Sequence, residues 1–300
     1  MIDLHVHSTA SDGFNSPKEL LKMALDIKLE AMALTDHDAI AGLEELKKAA
    51  KGKKIQIVNG AELSAFYPNI EVEVLAIDIP EKSIKAFEQY QEDEFKRRKK
   101  VTERRLSLVQ KMGYDISYQD VAYDENGNLR TQVRRPHFVD VLLKKGYIQS
   151  TDEAYKKIFV KSGGVYVKNK PRSIKQVISF IKENGAKAIL AHPVHIKKEG
   201  KELYSLIKRL KKYGLDGIEV LHSSHPVEKR LEYIEIIRDL GMISSGGSDF
   251  HGGTAHPDNK LGFGRDNNLN IPYMVLDELL SYKEGKTICK SYYDDLARYV

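Results

Sequence analysis

At 300 residues, with 41% hydrophobic and 30% charged side chains, the chain is long enough for one large α/β domain or a domain carrying an insertion, and global disorder is excluded. A net charge of +5 favours an anionic partner without identifying one, and no protein partner is implied. A single cysteine, Cys289, rules out a disulfide framework within the chain, no apolar run approaches the ~20 residues of a membrane span, and Ile2 opens a strand with no room for a signal peptide; a cytoplasmic location without membrane contact is expected.

Ile2, Leu4 and Val6 alternate with Asp3, His5 and His7, the period of a β-strand. His5 and His7 therefore share one face, and two imidazoles in register can grip one metal ion. Asp12 follows in a loop with Gly13, close enough in sequence to reach the same cavity. Ser16-Pro17-Lys18-Glu19 reads as a helix start, with Ser as cap and Pro in the first turn. A second strand over 30–34 ends in Thr35-Asp36-His37-Asp38, and a helix follows to about Lys51. A third strand over 54–58 leads to Glu62, and a fourth spans 72–76. This β-α-β-α-β rhythm predicts a parallel sheet or barrel, whose chemistry gathers at the carboxyl ends of its strands.

From Glu81 the rhythm breaks into one long charged helix to about Met112. Its basic run Lys96-Arg97-Arg98-Lys99-Lys100 lies among Glu92, Asp93, Glu94 and Glu103 without interleaved aromatics, so a solvated face is expected rather than a nucleic-acid contact. The segment to Tyr166 reads as helical and irregular, giving an inserted helical subdomain over 81–166 between barrel segments 1–80 and 167–300. Inside it, Arg134-Arg135-Pro136-His137-Phe138 could turn an Arg and a His toward a bound anion or stay at the surface. Beyond Ser173 the alternation returns: strands over 187–191, 216–221 and 242–245 run into His192-Pro193, His222-Ser223-Ser224-His225 and Gly247-Ser248-Asp249-Phe250-His251. A helix from about Val275 closes the chain. His195, His225 and His256 lie in polar loops and are expected at the surface or behind the ligands; Tyr166 and Lys168 could touch substrate or sit at a strand edge.

Five of the ten histidines fall at or just beyond strand ends, two more share a strand face, and Asp12, Glu62 and Asp249 join them. Imidazoles and carboxylates without thiolate suit Mn, Zn or Fe. There are too many ligands for one ion, and a bridging carboxylate such as Glu62 would hold two ions ~3.5–4 Å apart.

His5-Val-His7, Asp12-Gly13, Thr35-Asp36-His37-Asp38, Gly60-Ala-Glu62, Ala191-His192-Pro193 and Gly247-Ser248-Asp249-Phe250-His251 resemble, in order and spacing, the motifs of the polymerase and histidinol phosphatase (PHP) family, over residues 1 to about 265. The resemblance implies a distorted (β/α)7 barrel holding two to three divalent ions (Mn, Zn or Fe) and a metal-dependent phosphoesterase. It assigns His5, His7, Glu62 and Asp249 to a first ion, Glu62 and His192 to a second, and Asp12, His37 and His251 to a third. Glu73 stands where relatives usually place a histidine, eleven residues after the bridging Glu, and can still ligate through oxygen. Arg135-Pro136-His137-Phe138 and Glu219-Val-Leu-His222 are similar to a branch that hydrolyses phosphomonoesters, including 3′,5′-nucleoside bisphosphates, and whose relatives trim short RNA from the 5′ end.

The expected reaction is in-line attack on phosphorus by a hydroxide bridging two ions. Arg135, His222 and His137 are the expected catalytic and phosphate-binding groups, Ser248 joins the substrate contacts, and Asp36 is expected to orient a ligand imidazole. The substrate is a small anionic phosphate ester; RNA ends, cyclic phosphates and histidinol phosphate offer similar charge. An amidohydrolase-type barrel acting on a C–N bond also opens with paired histidines but bridges its ions with a carboxylated Lys, where this chain offers Glu62. A non-catalytic metal-binding module is the remaining alternative.

Overall fold

The computed structural model describes residues 1–68, 70–123, 127, 130, 133–160, 164, 165, 167, 172–253, 257–283 and 287–300. Seven strands stand in chain order around an almost closed barrel: β1 (Ile2–Val6), β2 (Ala31–Leu34), β3 (Gln56–Tyr67), β4 (Ile70–Ile77), then, past the two-residue β5 (Arg172–Ser173) that pairs with β3, β6 (Lys187–Leu190), β7 (Gly217–His222) and β8 (Ile243–Gly247). A parallel bridge from Val6 to Phe250, with Asp249 N–H donating to the His5 carbonyl at 2.9 Å, draws β8 against β1. Gly247 permits that approach: a Cβ there would lie 2.3 Å from the Cβ of His5.

β1 is buried on both faces, as a barrel strand covered by helices must be. Around the barrel lie α1 (Pro17–Asp26) and α2 (Leu43–Ala50), and the insertion follows β4 as α3 (Ile84–Lys111), α4 (Tyr118–Ala122), α5 (Arg135–Lys144) and α6 (Thr151–Glu153), the last continuing as a π-helical stretch, Ala154–Ile158. The barrel resumes with α7 (Ile174–Glu183), α8 (Gly200–Lys211), α9 (Val227–Leu240), α10 (Met274–Ser281) and α11 (Lys290–Leu296). α1 starts at a capping box in which Ser16 and Glu19 satisfy each other's backbone N–H groups. α7 lays Ile174, Val177, Ile178 and Ile181 on the barrel, a stripe at helical spacing. The C-terminal helix was expected from Val275; a further one, α11, packs Tyr292, Tyr293 and Leu296 into the same core.

The expectation of uniformly parallel strands fails at β4. Tyr67 pairs with Ile70, and a turn this short cannot hold the crossover that a parallel partner needs, so β3 and β4 form an antiparallel hairpin and β4 is antiparallel to β6 as well. β3 is also longer than its apolar run. It pairs with β2 only as far as Asn59 and then extends past the barrel rim, carrying Glu62 along the strand rather than beyond its end. The hairpin returns Glu73 opposite Ser64, on the same rim.

Two hydrophobic cores result. One fills and surrounds the barrel; the other joins Leu106, Val109, Phe138, Leu142 and Ile158 within the inserted helices. α3 belongs to both. Its first turns bury Phe87 and Tyr90 against the barrel, and its last turns bury Leu106 and Val109 in the insertion. At 28 residues it is ~42 Å long, enough to link the two. Among the described residues no helix is long and apolar enough to cross a membrane.

Candidate metal centre

The strand ends deliver the site. β1 supplies His5 and leads into His7; β2 leads into His37, β6 into His192 and β8 into Asp249 and His251; β7 ends on His222, and β3 and β4 bring Glu62 and Glu73. Three rim residues hold positive φ, a costly conformation for a side-chain-bearing residue: Asp38 at 49°, His192 at 25° and Asp249 at 54°. Each is locked by its own N–H, which donates to the Glu62 carbonyl, the Glu219 carboxylate and the His5 carbonyl respectively.

His5 Nε2 lies 3.4 Å from Glu62 Oε2 and 3.5 Å from Asp249 Oδ1; His7 Nε2 lies 3.4 and 3.1 Å from the same two oxygens. His5 Nε2, His7 Nε2 and Glu62 Oε2 are buried and make no well-formed hydrogen bond. Buried polar atoms are rarely left so. Four ligands at tetrahedral corners, each about 2.0–2.2 Å from an ion, stand about 3.3–3.6 Å apart, close to the spacing found here. The donor set therefore fits a divalent cation.

The same rim continues outward. Glu62 Oε1 is 2.9 Å from His192 Nε2, and Glu73 lies 3.5 Å from His192 and 3.4 Å from His37. Asp12 Oδ1 lies 3.3 Å from His251 Nε2 and 3.7 Å from His37 Nε2. His37 thus stands between two groups: its Nδ1 faces Glu62 and Glu73, and its Nε2 faces Asp12. All nine expected ligands meet in one basin, in overlapping sets.

Charge is redistributed to match. Burial opposes the charged form of every group, but the neighbouring imidazoles hold Glu62, Asp249 and Asp12 well below the usual carboxylate range. Burial would lower His192 and His251 too, yet the facing carboxylates raise them to about 9 and about 10. His7 goes the other way, to about 3, through burial and the positive charge of His251 and His37. A cation entering this basin must displace protons.

Several expectations need correction. Arg134, not Arg135, reaches the basin: its guanidinium lies 3.7 Å from Asp12 and 3.6 Å from Glu73 and donates to Ser64 Oγ at 3.1 Å. Adjacent positions at a helix start face different ways, and α5 turns Arg135 outward, where it is exposed beside Arg105 and Tyr155. Ser248 cannot meet substrate. It is fully buried, and its N–H and hydroxyl both donate to Asp3, at 2.9 and 2.5 Å. Asp36 orients no imidazole; it accepts from the Ser8 N–H and from the Ser8 and Ser11 hydroxyls, clamping the loop that carries Asp12. Of the histidines expected at the surface or behind the ligands, His225 takes the second place, its ring 4.9 Å from that of His222 and its Nδ1–H donating to the Val220 carbonyl at 3.0 Å, and His195 takes the first. Arg98 leaves the solvated face of its basic run and pairs with buried Asp38. Tyr166, Lys168 and His256 lie outside the described residues.

His222 and His137 are held in defined tautomers. The Ser224 N–H donates to His222 Nδ1 at 3.1 Å, so the neutral ring carries its proton on Nε2, 3.8 Å from Asp249 Oδ2. The Arg134 N–H donates to His137 Nδ1 at 3.0 Å, capping α5 and leaving Nε2 protonated. Burial and the charge of Arg130 push His137 down to about 4.

The sequence reading takes Glu219 only as part of the Glu219-Val-Leu-His222 motif and gives it no role. Glu219 is fully buried; its Oε1 accepts from His5 Nδ1–H at 2.9 Å and its Oε2 from the His192 N–H at 2.8 Å. A carboxylate behind a ligand histidine fixes the ring and its free lone pair. A polar residue inside the apolar run of β7, on a strand buried along its whole length, was the available signal.

Comparison with known proteins agrees with this geometry. The chain is 30% identical over 249 residues to a 5′-3′ exoribonuclease of Haemophilus influenzae, covering 83% of this chain and 89% of the relative. It is 29% identical to a 3′,5′-nucleoside bisphosphate phosphatase of Chromobacterium violaceum, covering 83% and 87%. Among solved structures, a proposed metal-dependent phosphoesterase from Bifidobacterium adolescentis superposes with a TM-score of 0.75 at 26% identity, covering 93% of this chain and 95% of that one. A C. violaceum protein described as an amidohydrolase, solved with sulfate and without metal, superposes with a TM-score of 0.71 at 26% identity, covering 83% and 87%. The expected fold class and ester-hydrolysing activity are borne out, and with the PHP domain matched over residues 3–213, the chain belongs to the PHP family of metal-dependent phosphoesterases.

Proposed function

We propose that the protein removes phosphate from a phosphomonoester of a nucleotide, of the 3′,5′-nucleoside bisphosphate type. The observation that carries this reading is the cup of His5, His7, Glu62 and Asp249 with the Arg134 guanidinium and the His222 Nε2–H at its edge. His5, His7, Glu62 and Asp249 would hold one divalent ion, Glu62, Glu73 and His192 a second, and Asp12, His37 and His251 a third, with Mn, Zn or Fe suited to such donors. Bound divalent ions would supply hydroxide near neutral pH and offset phosphate charge.

The remaining steps belong to the chain's own residues. Arg134, relieved of Asp12 and Glu73 when those ligate cations, is free to take two phosphate oxygens in a fork. His222 donates from Nε2 to a third oxygen, where charge grows as the ester bond breaks. His137 holds Arg134 in place through its backbone and, being neutral, suits hydrogen-bond donation to the leaving oxygen. Glu219 keeps His5 and the His192 backbone in register with Glu62.

A 5′-3′ exoribonuclease acting on short RNA is the second reading, supported by the name of the H. influenzae relative. The test is phosphate release with added Mn from adenosine 3′,5′-bisphosphate, 4-nitrophenyl phosphate and a 5′-phosphorylated trinucleotide. Release from the bisphosphate that is lost in Asp249→Ala and kept in Lys22→Ala, an exposed position on α1, supports the first reading. Nucleotide release from RNA alone supports the second, and inertness toward every phosphate ester in the presence of Mn, Zn or Fe rejects both.

A further inference from the structure

Arg230 sits where a cation is poorly accommodated. It lies in the first turn of α9, the positive end of that helix, and is 4% exposed. Among the described residues no carboxylate pairs with it, and burial moves its guanidinium below the usual arginine range. A buried cation without a counter-ion is unfavourable unless its N–H groups are well used.

What Arg230 holds is backbone. Its Nε donates to the His225 carbonyl at 3.0 Å, Nη1 to the Asn268 carbonyl at 2.9 Å and Nη2 to the His222 carbonyl at 3.2 Å. The Asn268 side chain adds a bond from Nδ2 to the Ser223 carbonyl at 2.8 Å. The turn 222–225 has a bond of its own, from the His225 N–H to the His222 carbonyl at 3.0 Å, which closes the turn without attaching it to the rest of the fold. Arg230 attaches both ends of it to α9 and to the chain at Asn268.

The turn begins in an irregular place. Along β7 and β8, Glu219 pairs with Ser245 and Leu221 with Gly246, so Val220 is an extra residue on β7. Such a bulge re-aims the side chains near it. The Val220 carbonyl accepts from His225 Nδ1–H at 3.0 Å. His222 then closes β7 with Nε2 turned to the basin, 3.8 Å from Asp249 Oδ2 and without a well-formed hydrogen bond. Its other nitrogen, Nδ1, lies 3.1 Å from the Ser224 N–H and 2.8 Å from the Ser224 hydroxyl. The conformation of the turn therefore decides both where the ring points and which nitrogen carries its proton.

We propose that Arg230 is a positioning residue for His222: its guanidinium gathers the carbonyls of His222, His225 and Asn268, fixes the 222–225 turn, and so keeps the His222 Nε2–H aimed at the phosphate. A planar guanidinium presents donors in several fixed directions, whereas a lysine ammonium is a point donor on a flexible stem. An apolar side chain would leave the buried His222 and His225 carbonyls short of a donor. The inference rests on the phosphoesterase reading above, in which His222 meets the charge that grows as the ester bond breaks, and adds what holds that group in line.

Two measurements on the full chain test it. With Mn and 4-nitrophenyl phosphate, Arg230→Met should lower kcat at least tenfold while changing KM less than about threefold. Arg230→Lys, which keeps part of the bonding, should lower kcat only about threefold. In a His222→Ala background each substitution should cost less than about twofold further, because the group being aimed is gone. On metal-free protein carrying 15N-labelled histidine, the His222 signals are those missing from the His222→Ala spectrum. They should show the Nε2–H tautomer in the native protein, a mixture of both tautomers in Arg230→Met and a smaller share of the second in Arg230→Lys. The lysine variant carries both readouts should the methionine variant fail to fold. Native kcat in both variants, an equal loss of kcat with and without His222, or a native tautomer in both variants overturns the proposal. Native protein inert toward phosphate esters would reject the hydrolytic reading, and the tautomer of His222 would then decide the role of Arg230 by itself.

Discussion

In the barrel, carboxylates and imidazoles crowd one rim, and several of their lone pairs face one another without a shared proton. In the inserted helices the excess is reversed. Arg98 and Arg134 lean across to barrel carboxylates, while Arg105 has none within reach among the described residues. One region is short of cations and the other of anions. An anionic ester held between divalent ions and guanidinium groups satisfies both at once, and neither region does so alone. On the proposed reading, labour is divided: the barrel would provide reactivity through ligands fixed on rigid strands, and the insertion, tied to the barrel by the shared helix α3, would contribute long cationic side chains.

The largest effect should come from emptying the barrel side. Asp249→Ala removes a ligand facing both His5 and His7, and phosphate release with saturating Mn should fall by about 10³-fold or more, some 4 kcal/mol in the barrier. A variant retaining a tenth of native activity would show that the rim is not the seat of reaction. Next comes the joint between the regions. Arg98→Ala takes from the buried Asp38 carboxylate its nearest cation, leaving the Ser64 donors and the more distant Arg134, and should cost about 3 kcal/mol. Hydrogen exchange should then rise in α5 and the second half of α3 before it rises in the barrel; uniform loss of protection would deny that the insertion docks through this pair.

Glu219→Gln should weaken metal affinity 10- to 100-fold, read by titration with a chromophoric chelator, because one amide cannot accept from both His5 and the His192 backbone. Glu219→Asp should recover part of it. Acid should also weaken the joint. Burial alone would raise the Asp38 pKa, but Arg98, Arg134 and the Ser64 N–H bring it down to about 2. Its stabilisation is complete above the ordinary value of 3.8, fades as pH falls from about 4 toward 2, and amounts to roughly 2 kcal/mol. Denaturant melts across that window should lose less stability in Asp38→Asn than in the native protein. The smallest effect belongs to Lys96, two residues from Arg98 but paired with exposed Glu92. Lys96→Ala should change stability by less than about 0.5 kcal/mol.

The same division explains what could be read without coordinates. Metal ligands are scarce residue types placed at strand ends, so His5, His7, His37, Glu62, His192, Asp249 and His251 stood out once the strands were located. The parallel rule failed at β4 because β3 and β4 pair as a hairpin, Tyr67 against Ile70, whereas Glu73 was found from its place eleven residues after Glu62 in the family pattern and its alternation with Val72 and Val74. Arginines offer no such signal. A helix full of Arg and Lys does not reveal which one turns inward, and Arg98 is half-buried and Arg105 buried because α3 passes from one core to the other. Choosing Arg135 over Arg134 was an error of one position at a helix start, where facing is set by the His137 cap rather than by any pattern in composition. The roles of Asp3 and Glu219 were not legible for a related reason: each acts on atoms far along the chain, Ser248 and Gly262 for Asp3, His5 and His192 for Glu219.

The most direct test is anomalous diffraction at the manganese edge from a crystal of the full chain grown or soaked with Mn. A peak bonded to His5 Nε2, His7 Nε2, Glu62 and Asp249, with a neighbouring peak on the other side of Glu62 near His192, is the expected result. Peaks confined to surface carboxylates, with the His5–Glu62–Asp249 cup empty at saturating Mn, would contradict it.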